Sequence, residues 1–203
     1  HCRLGPANPV RPFRPFVDPV RVWLNADVRD AGEPASAMEA TYFADQAIAF
    51  LDRHRDEPFL LVVGFHEPHS PFPFPTGFAG RYAPAQFAVP PLTDRDRREQ
   101  PRIFQALSPA DIRGIQAAYF TSLAFLDHEA GRILDALDAR GRANDTIVVY
   151  LSDNGYLLGQ HGRFEKNVMY EPAVRVPLLF RWTKHLPADR AVPDLVELVD
   201  LVP

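Results

Sequence analysis

The 203 residues are 46% hydrophobic and 24% charged, with a formal net charge of -4, which is enough apolar material for a sizeable core. An acidic balance without a basic cluster argues against nucleic acid as a partner, and the longest apolar run, Phe59 to Phe65, is far too short to span a bilayer. The one cysteine, Cys2, excludes an internal disulfide and leaves the compartment open.

Residues 1 to about 35 are rich in proline, lack periodicity and read as an irregular lead-in. A helix is expected from Ser36, with Phe43, Ala47, Phe50 and Leu51 on one face and Glu57-Pro58 marking its end. Phe59-Leu60-Leu61-Val62-Val63-Gly64-Phe65 reads as a buried strand that delivers His66 and His69 at its carboxyl end. Residues 66 to about 107 hold many of the 21 prolines and read as a long loop on the substrate side. Ser108-Pro109-Ala110-Asp111 is a helix start, with a hydroxyl N-cap, proline at the first helical position and a carboxylate in the first turn. Ile112, Ile115, Tyr119, Leu123, Leu126, Ile133 and Leu137 carry that helix onward to a stop at Gly141. The alternation of helices and strands predicts an α/β fold with a largely parallel sheet flanked by helices, all 203 residues belonging to one domain.

The chemistry concentrates between Thr146 and Arg181. Ile147 to Leu151 reads as a short strand buried on both faces, and ligands in α/β sheets bind beyond the carboxyl ends of such strands. Asp153 and Asn154 lie at that end, and Gly155 is expected to let the chain turn sharply so that the two side chains converge. A carboxylate beside a carboxamide is an all-oxygen pair, suited to Ca²⁺ or Mg²⁺ rather than zinc, but it is at most part of a site that wants about six to eight oxygens. The same three residues also make an ordinary turn. An EF-hand is excluded because Leu158 and Phe164 stand where its glycine and glutamate belong. His66-Glu67-Pro68-His69 is one residue too short for a metalloprotease H-E-x-x-H, and neither a G-x-S-x-G elbow nor a P-loop is present.

SDNGYLLGQHGRFEKNVMYEPAVRVPLLFRW resembles the C-terminal signature of the sulfatases, within the alkaline phosphatase superfamily, and PFLLVVGFHEPHSPF resembles that family's strand followed by a P-H loop. The resemblance runs from about Glu39 to Pro203 and is greatest to iduronate-2-sulfatase-like and choline-sulfatase-like members. It implies that Asp153 and Asn154 are two ligands of one calcium ion, that Lys166 contacts the sulfate oxygens, and that His69 lies near the leaving-group oxygen. His66 becomes a second substrate contact or a structural hydrogen bond, and His161, with Arg163, lines the pocket or holds the loop. Glu171 and Arg175 are expected to form a structural ion pair.

The family nucleophile, a formylglycine made from Cys or Ser in C/S-x-P/A-x-R, has no counterpart here, since Cys2 is followed by Arg3-Leu4-Gly5-Pro6. The paired N-terminal aspartates that complete the calcium site in the family are missing too. The chain starts at His1 and stops at Pro203, so the expectation is an internal fragment of a longer enzyme, inactive by itself. Three functions follow from the resemblance: a sulfuric ester hydrolase acting on a small-molecule or saccharide sulfate, a phosphonate monoester hydrolase or phosphodiesterase of the same superfamily, and a non-catalytic binding module. The resemblance leans toward a periplasmic or secreted setting. Neither the substrate nor the oligomeric state is legible.

Overall fold

The computed structural model describes residues 13–29 and 38–201. Cys2 and the expected helix start at Ser36 lie outside them. Strand β1 (Asp27–Arg29) pairs in parallel with β2 (Pro73–Pro75), Val28 facing Phe74 in the register. Strand β3 (Val148–Leu151) pairs antiparallel with β4 (Leu178–Arg181), Tyr150 opposite Leu179. Two long helices, α1 (Glu39–Arg53) and α4 (Pro109–Ala139), pack on each other, and the short helices α2 (Asp94–Glu99), α3 (Arg102–Gln105) and α5 (Glu171–Val174) sit in the connections. Among the described residues no helix is long and apolar enough to cross a membrane.

The start of α4 follows from local chemistry. Ser108 accepts from the Asp111 amide at 3.1 Å, and the Asp111 carboxylate accepts from the Ser108 amide at 2.9 Å, with Pro109 in the first turn. Its end is equally local: Gly141 stands at φ +69, its amide bonded to the Asp138 carbonyl and the Arg142 amide to that of Leu137, which satisfies the last carbonyls. Between these caps the helix is buried on more than one side, with the consecutive Ile115, Gln116, Ala117 and Ala118 all enclosed. The core gathers here: Phe72, Phe74 and Phe78 from the β2 region, Leu24 and Ala26 before β1, Phe104 of α3 and Phe164 surround the α4 face.

Helix α1 begins at Glu39 and buries Ala40, Ala44, Ala47 and Leu51, whereas Phe43 of the expected face is exposed. Small residues on that face let α1 approach α4 closely, and polar pairs line the seam: Arg132 bonds Asp45 and Glu129, each at 2.5 Å, Thr41 donates to Glu129 at 3.2 Å, and Arg140 grips Asp52 at 2.6 and 3.0 Å.

Four expectations are corrected. The lead-in contains β1 and a short 3-10 turn, Val22–Leu24. The 66–107 stretch is interrupted by β2 and by α2 and α3, because proline is tolerated at strand edges and helix starts. The Phe59–Phe65 run forms no strand among the described residues, and Leu60 and Val62 are 88% and 84% exposed. Its burial still alternates with period two; it lacks a neighbouring backbone to complete a ladder. Strand β3, expected to be buried on both faces, is exposed at Val149, Tyr150 and Leu151, since β4 alone pairs with it among the described residues.

Candidate functional site

Asp153, Asn154 and Gly155 follow directly on β3. The Asp153 side chain is exposed and Asn154 half-buried, its carbonyl accepting from the Ser152 hydroxyl at 2.7 Å. Glycine is required at 155 for a different reason than a sharp turn. Its φ is not in the left-handed region, but a Cβ there would lie 2.1 Å from the Pro172 carbonyl oxygen, and its amide donates to the Ala173 carbonyl at 2.8 Å. The strand end is thus pressed against α5, where Glu171 and Arg175 do form an ion pair, at 3.3 Å on the surface.

The loop beyond doubles back on itself. The Leu157 amide donates to the Glu165 carbonyl at 3.0 Å and the Gly159 amide to the Arg163 carbonyl at 2.9 Å. Both pairs share one antiparallel register, and Lys166 follows directly on the pair that closes the loop's base. Backbone pairing therefore brings the segment carrying Lys166 back toward the segment that follows Asn154. Lys166 is half-buried and makes no ion pair among the described residues.

The tip of this loop explains the G-Q-H-G spelling. Gly159 and Gly162 adopt φ +103 and +66, and a side chain at 162 would strike Gln100. His161 is itself left-handed at φ 54, and its surroundings hold it there: Nδ1 lies 2.8 Å from Asp96 Oδ1 and the ring stacks on Tyr170 at 3.9 Å. Since the carboxylate accepts, Nδ1 carries the proton. Asp96 also accepts from the Thr93 amide and hydroxyl at 2.8 and 2.7 Å as part of the α2 cap. The His161 hydrogen bond, then those from Thr93, hold the Asp96 carboxyl down at about 2. A lowered carboxyl pKa stabilises the fold above the unfolded value near 4 and loses that contribution as pH falls toward 2. Thermal unfolding followed from pH 5 to 2 should show a wild-type decline over that window that is shallower in Asp96→Asn; equal declines would remove Asp96 as the loop's acid-sensitive anchor.

His66 and His69 lie on a tight turn, the His69 amide bonded to the His66 carbonyl at 2.9 Å and the two rings stacked at 4.8 Å. Both are exposed. His69 Nδ1 sits 2.7 Å from the Ser70 carbonyl, which can only accept, so Nδ1 holds the proton and Nε2 is the nitrogen available for chemistry. His66 Nδ1 faces Glu39 at 3.4 Å. Between them Glu67 is buried, one carboxylate oxygen accepting from the Ala40 amide in the first turn of α1 at 3.4 Å, and burial pushes its carboxyl above the ordinary value.

Asp96, Glu67 and Tyr156 escaped the sequence reading. The T-x-x-D spacing from Thr93 to Asp96 is the signal that could have marked the start of α2, whereas nothing in the sequence signals the pairing of Asp96 with a histidine 65 positions away. The donor set for a cation fits in kind and not in number: no group of three or more His, Cys, Asp or Glu capable of holding a metal exists among the described residues.

A sulfatase family model matches residues 10–203. The chain belongs to the sulfatase family. Among its relatives in that family, it is 35% identical over 180 residues to iduronate 2-sulfatase of Homo sapiens, covering 76% of this chain and 32% of that protein. To choline-sulfatase of Rhizobium meliloti it is 28% identical over 156 residues, covering 70% and 30%. The chain thus spans about a third of the length of these sulfatases. Its fold is similar to the phosphonate monoester hydrolases of Silicibacter pomeroyi, at TM-score 0.65 and 22% identity over 83% of this chain and 39% of that one, and of Agrobacterium radiobacter, at TM-score 0.65 and 23% identity over 74% and 34%. These likenesses establish an α/β fold of the alkaline phosphatase kind, represented here in part.

Proposed function

We propose that this chain is part of a sulfuric ester hydrolase in which Lys166 and His69 act on the sulfate ester and Asp153 and Asn154 are two ligands of a calcium ion. The observation that supports the reading is the backbone pairing of Leu157 with Glu165, which brings Lys166, half-buried and without an ion pair among the described residues, back toward the segment that follows Asp153 and Asn154. A lysine ammonium is a compact charge that pairs with a tetrahedral oxyanion group as a point cation. Lys166 would bind the sulfate oxygens and stabilise the charge that grows on them as the S–O bond breaks. His69, with Nδ1 committed to the Ser70 carbonyl, would use Nε2 toward the leaving oxygen, donating a proton there when the ring is cationic. A bound calcium ion would add positive charge beside the transferring group, with most of its oxygens supplied from outside the described residues.

His161 serves in this reading as the loop's anchor through Asp96 and Tyr170, and it reaches substrate only through its second ring nitrogen. His66 remains a candidate contact at the same turn as His69. The formylglycine nucleophile and the remaining metal ligands belong to segments the family carries and this chain does not display, so the chain by itself is proposed to be inactive. Likeness to phosphonate monoester hydrolases at 22 and 23% identity bears on fold alone and does not favour phosphorus over sulfur.

The test is to assay the protein that carries this chain on an aryl sulfate and on an aryl phosphonate monoester, before and after chelation. Faster sulfate turnover, lost with chelator and restored by Ca²⁺, is the expected result. Preference for the phosphonate would move the reading to the phosphorus branch, and chelator-resistant turnover would remove the calcium ion.

A further inference from the structure

We propose that Tyr156 is a positioning residue that ties the turn bearing His69 to the loop bearing Lys166, so that the two candidate catalytic groups keep one spacing; this rests on the sulfatase reading above. Tyr156 follows Asp153-Asn154-Gly155 directly and precedes Leu157, whose amide closes the loop on the Glu165 carbonyl one residue before Lys166. Its phenol donates to the Phe164 carbonyl at 2.9 Å, spanning the base of the loop two residues before Lys166. Its ring meets Phe72 edge-on at 6.3 Å and stacks on Tyr119 of α4 at 5.9 Å.

Phe72 is fully buried and closes the His69 turn onto the core, and Phe164 is 1% exposed, so both segments meet Tyr156 at fixed points. A rigid aromatic wedged between two loops holds them at little cost in side-chain entropy, since only two torsions are frozen. Its hydroxyl adds direction to that contact. Misplacing either group by about 1 Å is enough to cost on the order of a hundredfold in rate, which is why a residue that touches neither substrate nor metal matters here.

The test is a pair of variants in the protein that carries this chain: Tyr156→Phe, which keeps the ring and removes the hydroxyl, and Tyr156→Leu, which also removes the ring contacts to Phe72 and Tyr119. Amide hydrogen exchange should quicken about tenfold at Leu157 and Gly159 in Tyr156→Phe, and at His69 as well in Tyr156→Leu, while amides of α4 stay unchanged. On a sulfate ester kcat of Tyr156→Phe should fall about tenfold with KM within about twofold. Unchanged exchange at His69 in Tyr156→Leu would overturn the tie, as would a uniform increase reaching α4, the mark of general destabilisation. If the wild type turns over no sulfate or phosphonate ester, the functional reading fails, and the exchange pattern still decides whether Tyr156 couples the loops.

Discussion

Replacing Lys166 with alanine is expected to lower kcat on a sulfate ester by about 10² to 10³-fold in the protein that carries this chain, with the melting temperature nearly unchanged. The size comes from the effect of deleting one fixed group aimed at developing negative charge, about 3 to 4 kcal/mol. Stability should hold because the Lys166 ammonium makes no ion pair among the described residues, and the loop it rides is closed by backbone pairs at 157 and 159. Burying half of a lysine without a carboxylate to meet it costs solvation and returns nothing to the fold. That expense is accounted for if the partner is an anionic substrate. An arginine in its place should recover only part of the rate, because a planar fork cannot reproduce a point charge. Steady-state kinetics beside a thermal melt decide it: unchanged kcat would take Lys166 out of the mechanism, and a melting temperature lowered in step with activity would make it structural.

The second large effect is expected at Gly155. Alanine there puts a carbon 2.1 Å from the Pro172 carbonyl oxygen, and because the obstacle is backbone it cannot swing aside. Either α5 or the strand end must move, at a cost of about 1 to 3 kcal/mol. The Gly155 to Ala173 hydrogen bond weakens with it. Activity should fall further than stability explains, since Asp153 and Asn154 immediately precede the displaced residue. Chemical denaturation gives the first quantity and kinetics of the folded enzyme the second. A variant of wild-type stability would show that the 171–174 segment yields freely, and the packing argument for this glycine would fail.

Sequence and structure divide the protein along a physical line. Features governed by neighbours in the chain were legible: the Ser108-Pro109-Asp111 cap and the Gly141 stop of α4, the surface pair of Glu171 and Arg175, and the two motifs that place the chain among the sulfatases.

Features that depend on distant chain meeting in space were not legible. Whether an apolar run is a buried strand depends on a neighbour's backbone, so Phe59 to Phe65 reads as a strand yet stays unpaired among the described residues, and β3 stays exposed on both faces. The need for glycine at 155 comes from Pro172, the hold on His161 from Asp96, and the junction at Tyr156 from Phe72, Tyr119 and Phe164. Local chemistry thus determined which residues can cap, turn and carry charge, and with them the family. Tertiary packing alone decided that the loop ahead of Lys166 folds back on itself, because a hydrogen-bond register between residues 157 and 165 exists only once the chain has closed.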